Sequence, residues 1–182
     1  AAADAGFAAV EYLFPYDVAP DEIARRLERN TLTQALFNMP PGDFAKGERG
    51  LAASPERFDE MKAGVDAALR YAQATGVKRI HLMAGLADRA DPRAQDAYRR
   101  AVAYCGEKLA AQGINLLLEP INARNMPGYF LCDFAQAAGF VTGSGLPNVR
   151  LQYDIYHRQI IHGDVTMGLR AYAELIDHVQ IA

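Results

Sequence analysis

Three side chains with oxygen acceptors stand at or near the ends of short apolar runs. They are Glu119 after the leucines of LLLEPIN, Asp154 in QYDIYH, and Gln180 within HVQIA. Each can bind a hard divalent cation through oxygen. Two carboxylates facing each other without a counterion repel, and one holds its proton more tightly; a cation removes that cost. The competing reading is a helix cap, because Asp or Glu at a strand-to-helix junction often accepts a bond from the first backbone N–H groups. Glu119 fits that reading worst, since Pro120 and the turn-rich INARNMPG follow it. Asp154 is followed by Ile-Tyr-His, which brings His157 to it one turn on. Taken alone, a histidine there is more often a satisfied packing residue.

The elements that must carry these side chains are six β-rich runs, at 8–14, 32–37, 79–83, 115–118, 149–153 and 178–181. Longer segments with apolar residues at helical spacing lie between them. PDEIARRLERN opens with Pro20 and Asp21 and sets Ile23, Ala24 and Leu27 on one face. The segment 54–76 has Ser54 as N-cap, Pro55 at its first helical position, Gly76 as its stop, and a stripe of Phe58, Met61, Val65, Leu69 and Ala72. The segments beginning at Asp91, Asp133 and Asp164 behave alike. Strands alternating with helices, without Asn-Gly hairpins, imply parallel strands joined by crossovers. A doubly wound nucleotide-binding sheet would show GxGxxG after an early strand, and the chain has none. Polar residues instead recur at the tips of many strands, with Glu11, Asn38, Glu119, Asp154 and Gln180 in turn. That pattern predicts an α/β fold of the (β/α)8 TIM barrel type, with 1–182 as a single partial barrel domain holding about six of the eight strands.

The bulk composition narrows the function classes. At 182 residues and 51% hydrophobic, the chain can bury a sizeable core. A formal net charge of -3 argues against a nucleic-acid surface, which needs clustered Lys and Arg. No basic amphipathic face points to membrane binding, and no apolar run approaches the roughly 20 residues that span a bilayer. Cys105 and Cys132 show no metal spacing and read as reduced packing residues, with a cytoplasmic location as the default. AAADAGF reads as the last turn of a helix, with Ala2 and Ala3 packed and Gly6 as its stop, while HVQIA is a strand that breaks off. Both ends read as cuts within a longer protein.

Together, VEYLFPYD (10–17), NMPPGDFAKGERG (38–50), LLLEPIN (116–122), QYDIYH (152–157) and HVQIA (178–182) resemble the hydroxypyruvate isomerase family of the xylose-isomerase-like barrel superfamily. The resemblance runs along essentially the whole chain. It implies that Glu119, Asp154 and Gln180 are metal ligands, with Glu119 doubling as a catalytic acid/base. Ketose 3-epimerase relatives usually have histidine as third ligand; Gln180 makes the set all-oxygen, which favours Mg2+ or Mn2+ over Zn2+. His157 matches a position that contacts substrate oxygens. Asn125 stands where relatives often carry a carboxylate, so it can bond to substrate but cannot take a proton. Arg49 is the candidate for gripping a substrate carboxylate, since a guanidinium matches it in two-bond geometry; the alternative is a pairing with Glu48 or Asp43. A second glutamate, on an eighth strand outside this sequence, is expected to complete the proton transfer.

The implied reaction interconverts hydroxypyruvate and tartronate semialdehyde through a metal-stabilised enediolate. A 2-oxo-tetronate isomerase, a ketose 3-epimerase and a non-catalytic metabolite-binding fragment are the alternatives. A DNA-repair nuclease of the superfamily would need several histidine ligands and a basic face. The expected partner is a small hydroxy-oxo acid. The alanine-rich helices and open ends also imply further protein surface over them, with a homo-oligomer among the candidates.

Overall fold

The computed structural model describes residues 2–181. Six strands form one sheet in chain order: β1 (Ala9–Tyr12), β2 (Thr33–Asn38), β3 (Arg79–His81), β4 (Asn115–Leu118), β5 (Val149–Asp154) and β6 (Ile176–Gln180). Every neighbouring pair is parallel. Parallel neighbours need crossovers, and these are supplied by α1 (Pro20–Arg29), α2 (Phe58–Thr75), α3 (Pro92–Ala110), α4 (Phe134–Gly143), and α5 (Ile155–Ile161) with α6 (Val165–Tyr172). The result is a partial barrel with helices outside.

The central strands are closed in on both faces. Leu116, Leu117 and Leu118 are all 0% exposed, which is why this run shows no alternation of apolar and polar residues. Against them lies α3, whose buried Ala94, Ala97, Tyr98, Ala101, Val102, Cys105 and Leu109 follow the helical period. Small residues let α3 sit close to its neighbours. At Gly106 an added Cβ would meet Leu146 Cδ1 at 2.7 Å and Val149 Cγ2 at 2.9 Å. The edge strands are more open, and β1 alternates between exposed and half-buried residues. No ladder joins β1 to β6, yet Glu11 accepts from Gln180 Nε2 at 2.7 Å and lies 2.7 Å from His178 Nε2. The sheet therefore curls until its two edges exchange side-chain bonds across the barrel interior, as the barrel reading requires.

Most helix starts follow from local chemistry. Asp91 accepts from Arg93 N at 2.8 Å and Asp133 from Gln136 N at 2.8 Å, capping α3 and α4. Gly76 ends α2 in the left-handed conformation at φ 71°. Several expectations need correction, among them the ends of β1 and β3, which stop two residues early at Tyr12 and His81. Ser54 makes no side-chain cap bond; Pro55–Arg57 form a 3-10 turn, and α2 begins only at Phe58. Asp164 also makes no cap bond and sits at φ 45°. β6 begins two residues earlier than expected, at Ile176, because Leu151 pairs with it across the sheet. At the start of the chain, Ala3–Ala5 is a single 3-10 turn with no buried residue, although Gly6 does stop it at φ 84°.

Candidate metal and active site

The parallel register places the carboxyl ends of the strands side by side. Asn38 pairs with His81 at the tips of β2 and β3, and Asp154 pairs with Gln180 at the tips of β5 and β6. Glu119 follows the last residue of β4, between them. Pro120 has no backbone N–H and turns the chain away, so no helix begins there to draw the carboxylate into a cap. Glu119 and Asp154 are each only 7% exposed. Glu119, Asp154 and His157 each offer a ligand atom, and the three atoms lie within 4.8 Å of one another.

Electrostatics mark this cluster. The Glu119 carboxyl is pushed up to about 8, chiefly by burial and then by the Asp154 carboxylate, with the Gln152 amide pulling the other way. Among the described residues no Lys or Arg side chain offsets this pair of buried carboxylates, so their donor atoms are of a kind a cation could use. The oxygen chemistry fits a hard divalent ion. Asp154 has a second duty: its Oδ1 accepts from His157 N at 2.9 Å and caps α5. Cap and ligand were competing readings of the sequence, and for Asp154 the geometry accommodates both, because one oxygen remains for a cation.

Gln180 stands beside Asp154 in register, but its amide is engaged. Oε1 accepts from Gln152 Nε2 at 2.7 Å, and Nε2 donates to Glu11 at 2.7 Å. Coordination by Gln180 requires the bond from Gln152 to be released. His157 enters from the first turn of α5, with Nε2 4.0 Å from Glu119 Oε1. Burial lowers its proton affinity, against the pull of Asp154. Asn125 lies outside the cluster, exposed, accepting from the Tyr156 hydroxyl at 2.8 Å. Arg49 is held within its own loop. Its Nη1 donates to Phe44 O at 3.0 Å and Glu48 O at 2.7 Å, and the guanidinium stacks 3.9 Å from the Phe44 ring centroid. The pairing expected as its alternative is taken by others, since Glu48 bonds Arg57 and Asp43 bonds Lys46.

Three buried polar neighbours of this cluster escaped the sequence reading. His81, 1% exposed, places Nδ1 3.2 Å from Asn38 Oδ1 and 3.6 Å from Glu119 Oε2, while its buried Nε2 has no partner. Burial drops its ring to about 3, with His157 adding to the effect, so it is neutral. Asn122 and Gln152 are 0% and 1% exposed and bond to His157 and Gln180. A signal existed for His81 and Gln152, each a polar residue set between apolar neighbours, Ile80 and Leu82 for the first and Leu151 and Tyr153 for the second.

Comparison with known proteins agrees with the barrel fold. A family model described as xylose isomerase-like TIM barrel matches residues 1–182. The 2-oxo-tetronate isomerase of Cupriavidus necator is 49% identical over 186 residues, covering 100% of this chain and 71% of the relative. The hydroxypyruvate isomerase of Escherichia coli is 39% identical over 183 residues, with the same coverage of 100% and 71%. A crystal structure described as AP endonuclease, family 2, from Brucella melitensis superposes with a TM-score of 0.96 at 47% identity, covering 100% of this chain and 70% of that one.

Proposed function

Because the chain belongs to the xylose isomerase-like TIM barrel family, we propose that it is an isomerase that moves a carbonyl between neighbouring carbons of a small hydroxy-oxo acid, interconverting hydroxypyruvate and tartronate semialdehyde. The observation that carries this reading is the convergence of the buried Glu119 and Asp154 carboxyls with His157 at the strand tips, their ligand atoms all within 4.8 Å of one another. A carboxylate held at the barrel mouth can take a carbon-bound proton from a substrate seated beside it.

Glu119, Asp154 and Gln180 would hold a divalent cation, and the oxygen donors favour Mg2+ or Mn2+. The chemistry such an ion supplies when bound is Lewis-acid polarisation of the carbonyl and stabilisation of the charge that develops on its oxygen. Glu119 takes the proton from the hydroxyl-bearing carbon, which leaves an enediolate. A second acid/base returns a proton at the neighbouring carbon, and a proton passes between the two oxygens, so the substrate is neither oxidised nor reduced overall. His157 faces the same space and is placed to bond a substrate oxygen. Arg49, on the loop after β2, is the proposed grip on the substrate carboxylate through Nε and Nη2, which its loop bonds leave over.

A second substrate, a 2-oxo-tetronate, is favoured by the 49% identity to the Cupriavidus necator enzyme. Deoxyribonucleic acid chemistry, named for the Brucella melitensis structure, is opposed by a net charge of -3 and a total of four histidines. The test is to incubate the protein with hydroxypyruvate or a 2-oxo-tetronate and Mg2+ or Mn2+ in deuterated water. Proton NMR should show product and deuterium entering at carbon. No turnover and no exchange with either acid would sink the isomerase reading.

A further inference from the structure

Asn122, 0% exposed, lies three residues beyond Glu119 on the loop after β4. Its amide can point only one way. Oδ1 accepts the backbone N–H of Asn125 at 2.9 Å, and a backbone N–H can only donate. The Nδ2 group, also a pure donor, is therefore turned toward His157 Nδ1, 2.7 Å away. The backbone N–H of Asn122 points at the same ring nitrogen from 3.3 Å. With two donors converging on it, Nδ1 must accept, and the proton of the neutral ring belongs on Nε2. Nε2 is the nitrogen that faces Glu119.

We infer that Asn122 is a positioning residue that sets the tautomer of His157, making Nε2–H a hydrogen-bond donor to a substrate oxygen and denying that nitrogen to a cation. Distance alone would let His157 serve as a third ligand beside Glu119 and Asp154. The hydrogen-bond pattern forbids it: a protonated nitrogen has no lone pair to coordinate, and the lone pair of Nδ1 is already engaged. The cation is thereby left to oxygen donors. A neutral imidazole N–H aimed at an oxygen where negative charge develops stabilises that charge without reorganising. The catalytic consequence rests on the isomerase reading; the tautomer assignment does not.

The test is a two-bond proton–nitrogen NMR correlation of the histidine rings in the metal-free protein at about pH 8. Wild type should show His157 with bare Nδ1 and protonated Nε2; a protonated Nδ1 overturns the inference. Asn122→Asp keeps the shape but replaces the donor by an acceptor, and should move the proton to Nδ1; an unchanged pattern overturns it. If that variant does not fold, Asn122→Ala removes the donor and should shift both ring nitrogens toward averaged values, and no shift counts against the inference. In turnover assays Asn122→Asp should lower kcat about 10- to 100-fold with little change in KM. A wild-type kcat alongside a reversed tautomer overturns the catalytic half. If wild type turns over neither acid while its ring pattern holds, the isomerase reading fails and the tautomer assignment stands.

Discussion

Replacing Glu119 by Gln should change how stability depends on pH before it is ever tested on substrate. The Glu119 carboxyl is raised from 4.5 to about 8 in the folded chain. Between those values the folded state keeps a proton that the unfolded state releases. Stability therefore falls as pH rises, by about 1.4 kcal/mol per unit. His81 has the opposite slope. Its ring is lowered from 6.5 to about 3, so the unfolded state binds the extra proton and stability is lost as pH drops below 6.5. Between roughly 4.5 and 6.5 the Glu119 slope is opposed by His81 and by His157, which burial also lowers; above 6.5 the Glu119 slope is left unopposed by either. Metal-free wild type should thus lose about 2 kcal/mol between pH 6.5 and 8. Glu119→Gln removes the titrating group and should abolish that loss. Millimolar Mg2+ or Mn2+ should offset the loss in wild type by binding the native carboxylates, and should do little for the variant. The assay is urea unfolding at about pH 6.5 and 8.5, with chelator or cation. Equal wild-type stability at both pH values without metal, or an undiminished loss in Glu119→Gln, would refute the reasoning.

Two further predictions rest on separate parts of the structure. Asp154→Asn keeps an acceptor for His157 N and should retain the α5 cap, whereas Asp154→Ala should cost about 1 kcal/mol in urea unfolding. Both should weaken Mn2+ binding by calorimetry, and an Ala variant as stable as the Asn one would remove the cap from the account. Gly50 lies at φ 118°, where an added Cβ would run into the carbonyl of Met83, a backbone atom that cannot swing aside. Gly50→Ala should therefore cost more than about 1 kcal/mol by thermal melting; an unchanged melting temperature would mean that the loop relaxes freely.

The sequence alone determined the alternation of strand and helix and hence the parallel sheet, because a buried run such as Leu116–Leu118 and the helical stripes facing it are local patterns. Asp91 and Asp133 were legible as caps for the same reason, each acting within three residues of itself. Glu119 stood out because the proline after it rules out a helix start, again a local fact. Ser54 failed as a cap for α2 because the 3-10 turn Pro55–Arg57 intervenes and the serine side chain makes no cap bond. The tertiary structure decided everything that depends on which residues meet across strands. Only the register of β3 and β4, which pairs His81 with Leu117, brings His81 beside Glu119. Arg49 was read as a grip on a substrate carboxylate or a partner of Glu48 or Asp43, and only the folded loop shows it bonded to backbone carbonyls and stacked on Phe44. The chemical identity of His157 was out of reach of any pattern, since its tautomer is set by Asn122, 35 residues away, through bonds that exist only once the barrel has formed.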